Sequence, residues 1–80
     1  MKPTLTLYIN SYCHLCEEMT AQLMRLQGSI DFALEVIDIE GRSELEAAYA
    51  ERLPVLLGAD GEICHFHLDQ EAVRAYLSGR

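Results

Sequence analysis

The sequence has few basic residues and no long apolar run. Six Lys and Arg stand against thirteen Asp and Glu in 80 residues, which gives a net charge of −7. Nucleic-acid binding needs clustered cations, and here the six are scattered, so that partner class is not expected. The apolar stretch after Pro3 is too short for a signal-peptide core or a membrane span, so we expect no membrane partner. Gly-rich phosphate loops, a Ser-His-Asp order and paired catalytic carboxylates are also missing.

What remains is an ordinary globular composition, half apolar and 24% charged. Its length predicts one domain, residues 1–80, of modest stability. Three cysteines without a visible export signal indicate the cytoplasm, where a Cys-x-x-Cys pair is more often catalytic or metal-binding than structural. The small size and the lack of an obvious apolar stripe favour a monomer.

Hydrophobic periodicity, turn residues and caps predict seven elements in the order βαβαββα. The second strand should place Phe32, Leu34 and Val36 on one face, and Ser43 should open the second helix through a capping box. A strand–helix–strand start implies a right-handed parallel crossover, and the later hairpin adds antiparallel strands. The expected fold class is therefore α/β, a four-stranded mixed sheet flanked by three helices. The predicted elements are strand Thr4–Ile9, helix His14–Gln27, strand Ile30–Ile39, a helix from Ser43 to near Arg52, strand Leu53–Leu57, strand Glu62–His67 and a last helix capped by Asp69.

The most informative pattern is the Cys-x-x-Cys pair, Cys13 and Cys16, where the first strand gives way to a helix. Two thiols three residues apart lie on the same side of a first helical turn, where they can form a disulfide or share a metal. The free amides and positive dipole end of the helix favour a thiolate at Cys13. A protonated His14 would add to this effect, whereas Glu17 and Glu18 oppose it. The pattern indicates redox chemistry.

Together with Leu53-Pro54-Val55 and the element order, this junction resembles a minimal thioredoxin fold, and most closely the small glutaredoxin-like proteins. The resemblance covers nearly the whole chain. It implies that Cys13 is the nucleophile and Cys16 the resolving thiol. It also implies a cis Leu53–Pro54 bond beside the thiols, with the Leu53 backbone offered to an extended substrate. Tyr12 and His14 are expected to line the thiol site and to bind the substrate there, together with Leu53 and Pro54.

The sequence departs from the usual glutaredoxin pattern at three places. Asn10 stands where a basic residue usually meets a glutathione carboxylate, Phe66-His67 replaces a Gly-Gly pair, and His14 replaces a proline between the cysteines. The expected reaction is therefore thiol–disulfide exchange with a protein or small-molecule disulfide. No resident cofactor is expected. Glutathione or a reductase would supply electrons.

Two alternatives remain open at this point. The first is a zinc or copper(I) protein in which Cys64 or His67 completes a site with Cys13 and Cys16. Strand alternation weakens it, because positions 64 and 67 leave opposite faces of a regular strand. The second is an adaptor that binds a partner through the Leu53–Pro54 edge without turnover. Apart from these, Cys64 reads as a small buried apolar residue, and His65 and His67 as partly exposed strand histidines.

Overall fold

The computed structural model describes residues 2–79 and confirms the predicted order of elements. A 3₁₀ turn, Ala50–Arg52, follows the second helix. The elements are β1 Thr4–Ile9, α1 His14–Leu26, β2 Ala33–Asp38, α2 Ser43–Tyr49, β3 Val55–Gly58, β4 Gly61–His65 and α3 Gln70–Ser78.

The four strands form one mixed sheet in the order β2-β1-β3-β4. β1 runs parallel to β2, with Leu7 opposite Val36, and antiparallel to β3, where the same Leu7 lies opposite Leu56. β3 and β4 form the predicted hairpin. Because the α1 crossover joins parallel strands, the carboxyl ends of β1 and β2 meet at one edge of the sheet. The Cys-x-x-Cys pair follows β1 at that edge.

One face of the sheet carries the main core. Leu5 and Leu7 are two residues apart on β1 and point to the same face of the sheet. Met19 and Leu23 are four residues apart on α1, so they share one face of the helix and pack against the two leucines. Val73 adds the contact from α3. All five side chains are at most 1% exposed. Truncating Leu7 or Leu23 to Ala should cost about 2–5 kcal/mol, since the cavity left behind cannot fully collapse.

The opposite face is covered by α2. The Tyr8 ring packs against Tyr49 with centroids 4.9 Å apart, and the Arg52 guanidinium lies 5.2 Å from the Tyr49 centroid. Arg52 also donates to the Ala48 carbonyl and to Glu62, which ties the 3₁₀ turn to β4. Helices therefore cover both faces of the sheet, as predicted. None of the described helices combines the length and apolarity that crossing a bilayer requires.

The hairpin turn is held by α3. The Tyr76 hydroxyl accepts a hydrogen bond from the Ala59 backbone N–H at 2.6 Å, and the Tyr76 ring lies directly over Gly58. A methyl group at Gly58 would collide with that ring, so glycine is required by the close approach. Tyr76 is thus a core-edge ring. The predicted cap of α3 is also confirmed, because Asp69 Oδ1 accepts the Ala72 N–H at 3.0 Å.

The bounds of the last three strands differ from the predictions. β3 runs over Val55–Gly58 in place of Leu53–Leu57. β2 begins at Ala33, so Phe32 is buried just before the strand and does not belong to it. Val36, predicted to share one strand face with Phe32 and Leu34, is 42% exposed, because β2 is an edge strand and the core lies over the strands inside it. β4 ends at His65, since Phe66 takes a φ of +65°, outside the extended region.

The start of α2 also differs from the predicted capping box. Ser43 is the first helical residue, and the N-cap position falls on Arg42, whose side chain caps nothing. The Glu46 carboxylate instead accepts the N–H of Gly41, which sits in the left-handed region at φ +82°. The glutamate thus reaches back as in a capping box, without the reciprocal serine bond.

Candidate dithiol site

Cys13 is the N-cap residue of α1, with extended backbone angles just before the first helical residue, His14. Its sulfur accepts a hydrogen bond from the Cys16 backbone N–H at 3.1 Å. The sulfur therefore occupies the position in which a serine or aspartate oxygen normally satisfies a free helical amide. Cys13 and Cys16 form a disulfide, with their Cα atoms 5.1 Å apart.

The two sulfurs have different environments. Cys13 is half-buried, whereas Cys16 is 1% exposed and packs in a cluster with Ile39, Leu53 and Val55. An approaching disulfide can reach Cys13 before Cys16. This asymmetry is what a nucleophile and a resolving thiol need.

The Leu53–Pro54 peptide bond is cis, as the resemblance implies. Leu53 is 7% exposed and shares the cluster that contains Cys16, with Cys13 packed against it. The Pro54 carbonyl accepts the N–H of Phe66 at 3.0 Å, which places the end of β4 beside the proline. The segment before β3 is thus brought to the dithiol, although it is about forty residues away in the chain.

The two expected surface residues of the site lie beside Cys13 and are open to solvent. Tyr12 is 93% exposed, so it has no packing role in the core, and its backbone N–H donates to Asn10 Oδ1 at 3.1 Å. His14, in the first turn of α1, is also exposed. Both can contact a substrate that approaches Cys13. Their roles in binding stay predictions.

Two carboxylates, those of Asp38 and Glu40, lie at the same edge of the sheet and were not predicted from the sequence. The Ser11 hydroxyl lies 3.1 Å from an Asp38 carboxylate oxygen and 3.2 Å from a Glu40 oxygen. The available signal was the parallel pairing itself, because residues that follow two neighbouring parallel strands meet at one edge. These carboxylates add negative charge beside the dithiol.

Cys64, the third cysteine, lies elsewhere and in a different setting. It sits half-buried on β4 opposite Leu56. Burial raises the pKa of the Cys64 thiol above its ordinary value, a hydrogen bond with the Asp69 backbone lowers it in part, and the negative charges of Asp69 and Glu62 raise it. Its thiol is therefore disfavoured as a thiolate at neutral pH.

The structure does not assemble the alternative metal site. Within residues 2–79, no three His, Cys, Asp or Glu side chains are grouped closely enough to hold a metal ion. Cys64 and His67 are therefore not brought together with the dithiol. His65 is engaged by the Glu62 carboxylate, which also pairs with Arg52 at 2.8 Å. The dithiol remains the chemically distinctive feature.

Comparison with known proteins agrees with this geometry. A family model described as Glutaredoxin-like domain (DUF836) matches residues 4–78. The chain belongs to this glutaredoxin-like family. Protein Ne2328 of Nitrosomonas europaea is 43% identical, with a TM-score of 0.86 over 96% of this chain and 93% of that one. The X. campestris protein XcR50 is 32% identical, with a TM-score of 0.75 over 95% and 97% of the two chains.

A more distant likeness places this glutaredoxin-like chain in a wider fold class. Thioredoxin 1 of Thermosipho africanus is 21% identical, with a TM-score of 0.64 over 94% of each chain. At that identity the likeness shows the fold alone. The protein is thus a member of the glutaredoxin-like family with a thioredoxin-like fold, and the geometry of its dithiol is consistent with redox function.

Proposed function

We propose that the protein is a thiol–disulfide oxidoreductase in which Cys13 is the nucleophile and Cys16 the resolving thiol. The observation that carries the proposal is the Cys13–Cys16 pair at the start of α1, with the Cys13 sulfur bonded to the Cys16 amide. In the reduced protein, the same amide and the helix dipole stabilise negative charge on that sulfur. The difference in burial between the two cysteines supports this order of reaction.

The proposed reaction consists of two successive thiol–disulfide exchanges. The Cys13 thiolate attacks one sulfur of the substrate disulfide, forms a mixed disulfide and releases the first substrate thiolate, which takes up a proton. Cys16 then loses its proton and attacks the Cys13 sulfur, which releases the second substrate thiol. The substrate gains two electrons, and the protein is left with the Cys13–Cys16 disulfide. A reductant must restore the dithiol by the reverse exchange.

The acidic surroundings bear on the choice of partners. Asp38 and Glu40 lie at the site edge, and Asn10 offers no cation for a carboxylate. An anionic tripeptide such as glutathione is disfavoured there as a tightly held substrate, although it can serve as reductant, as can a reductase. We therefore propose disulfide-containing proteins or small disulfides as substrates, and a monomer as the working form. The proposed compartment is the cytoplasm, where a free dithiol persists.

The deciding experiment is an equilibrium redox titration of metal-free protein against dithiothreitol couples, read by intact mass after thiol trapping. We expect one two-electron transition of the Cys13–Cys16 pair at about −180 to −270 mV, the range of redoxins. A pair that never closes, or closes only with Cys64 exchanged in, would remove the basis for catalysis.

The order of the two cysteines is tested by Cys16→Ser. Without the resolving thiol, this variant should accumulate a mixed disulfide on Cys13 when mixed with a disulfide substrate, visible as an added mass. Absence of the adduct would show that the roles are wrongly assigned. If a partner is still captured by a variant lacking both thiols, binding without turnover is the better description.

A further inference from the structure

A groove runs along one side of α1 and begins at the dithiol. It encloses about 350 Å³ between the helix and the end of β1, with walls from Cys16, Thr20, Ala21, Met24 and Ile9. Cys16 and Met24 are eight residues apart, so the groove extends about 12 Å along the helix axis. That length matches about three or four residues of extended chain. An elongated segment fits this shape better than a compact small molecule.

The surface around the groove is apolar and exposed. Met24 is 61% exposed and Val36 is 42% exposed. Val36 lies opposite Leu7, and Asp38 opposite Ile9, so strand alternation puts Val36 next to Ile9 on the same face. β2 is the edge strand of the sheet, and no other element of residues 2–79 pairs with its outer side. Large apolar side chains left open beside a groove mark an interaction surface.

The charges around the groove select among possible occupants. Glu17 lines it, and none of its lining residues is Lys or Arg. Asp38 and Glu40 lie where the carboxyl ends of β1 and β2 meet, each within hydrogen-bonding distance of the Ser11 hydroxyl. A second copy of this chain would bring the same acidic rim against itself, at a net charge of −7 per copy. A segment with Lys or Arg beside an apolar side chain is complementary to the apolar lining of the groove and to its acidic rim.

Building on the proposed oxidoreductase function, we infer that this groove docks a segment of the disulfide substrate protein, in which a bulky apolar side chain is flanked by Lys or Arg. The apolar side chain fills the space between Met24 and Ile9, and the basic flank meets Glu17. The Thr20 hydroxyl already donates to the Cys16 carbonyl at 2.7 Å, so it requires no polar partner from the occupant. Because Cys16 forms the near wall, a docked segment holds its disulfide close to Cys13.

The test uses synthetic peptides, each carrying one cysteine disulfide-linked to 5-thio-2-nitrobenzoate. The Cys13 thiolate of the reduced wild-type protein attacks the peptide sulfur and releases the coloured thiolate, and Cys16 then releases the peptide. Rate constants are divided by that for the same disulfide of N-acetylcysteinamide. A peptide with Leu and Lys should react about tenfold faster than one with Ser in place of Leu, as expected for one buried apolar side chain. A Lys-to-Glu peptide should also be slower.

Two variants test whether the groove residues cause the preference for peptides with Leu and Lys, and a third variant is a matched control. Met24→Gln keeps the length of the side chain while removing its apolar end, and should bring the Leu-to-Ser rate ratio close to unity. Glu17→Gln should reduce the Lys-to-Glu ratio. Ala75→Gln places the same amide on an exposed position of α3, away from the groove, and should keep both ratios at the wild-type values.

The outcomes separate the two levels of the proposal. If the N-acetylcysteinamide disulfide is not attacked, or is attacked equally well by Cys13→Ser, the oxidoreductase proposal fails. If that disulfide is attacked but all peptides react at the same rate, the docking groove is overturned and the oxidoreductase proposal stands. Preferences that persist in Met24→Gln also overturn it, since recognition then lies elsewhere. A wild-type dimer in sedimentation that Met24→Gln dissociates would assign the groove to a second copy of this chain.

Discussion

Cys13 and Cys64 are both half-buried thiols of the same chain with carboxylates nearby, yet they occupy different places in the fold. Cys13 caps the start of a helix, where its sulfur accepts a hydrogen bond from the Cys16 backbone N–H. Cys64 lies within a strand, where partial burial and the charges of Asp69 and Glu62 raise the pKa of its thiol. Burial and nearby carboxylates disfavour a thiolate at both positions. At Cys13 the free amide and the dipole of the helix N-terminus oppose them, and a strand offers Cys64 no helix dipole of this kind.

Turnover should show the largest difference between the two cysteines. Cys13→Ser should lower disulfide reduction to the uncatalysed background, because a serine hydroxyl cannot perform thiol exchange. Cys64→Ser should keep most of the activity, since nothing in the site contacts that sulfur. Both variants are to be assayed with the same disulfide and checked for folding by circular dichroism. Loss of activity in Cys64→Ser with an intact fold would contradict the comparison.

The rate of alkylation in the reduced protein should also be higher at Cys13 than at Cys64, by a smaller factor than the difference in turnover. With iodoacetamide at neutral pH, Cys13 should be modified well before Cys64, as read by peptide mass spectrometry. Because the pKa of Cys64 is raised, its alkylation rate should still be increasing at a pH where an ordinary thiol is already largely ionised. Earlier labelling of Cys64 would mean that the local charges do not govern these thiols.

Substitutions at Asp69 should produce the smallest effects and separate charge from capping. Asp69→Ala removes the acceptor for the Ala72 amide and should lower the free energy of unfolding by about 1 kcal/mol, the usual value for an N-cap. Asp69→Asn keeps an acceptor and should retain most of that stability. Both remove a negative charge near Cys64, so both should move its labelling curve to lower pH. An unchanged curve in both would show that the carboxylate does not act on the thiol.

Much of this architecture was predictable from local patterns. β1 has the predicted bounds, because its alternation and β-branched residues leave no competing interpretation. The Asp69 cap followed from residue type and position alone. Cys13 and Cys16 could be placed at the strand–helix junction from their spacing, and the cis bond before Pro54 came only from the resemblance.

The features that were missed depend on the tertiary structure. Alternation predicted one face for Val36 but could not tell that β2 would lie at the sheet edge. Nothing in the residue type of Phe66 indicates a positive φ, so the end of β4 at His65 could not be read from the sequence. The groove beside Met24 lies between α1 and the end of β1. Such features follow from how elements pack, which local periodicity does not encode.

The central position of β1 has a consequence for the order of folding. Leu7 is fully buried only when β2 supplies Val36 and β3 supplies Leu56, which lies 49 residues further along the chain. Closing loops of that length costs entropy before the contacts repay it. A fragment ending before β3 would leave one edge of β1 unpaired and the Cys16 cluster without Val55. The dithiol site is therefore complete only once β3, about forty residues further along the chain, has joined the sheet.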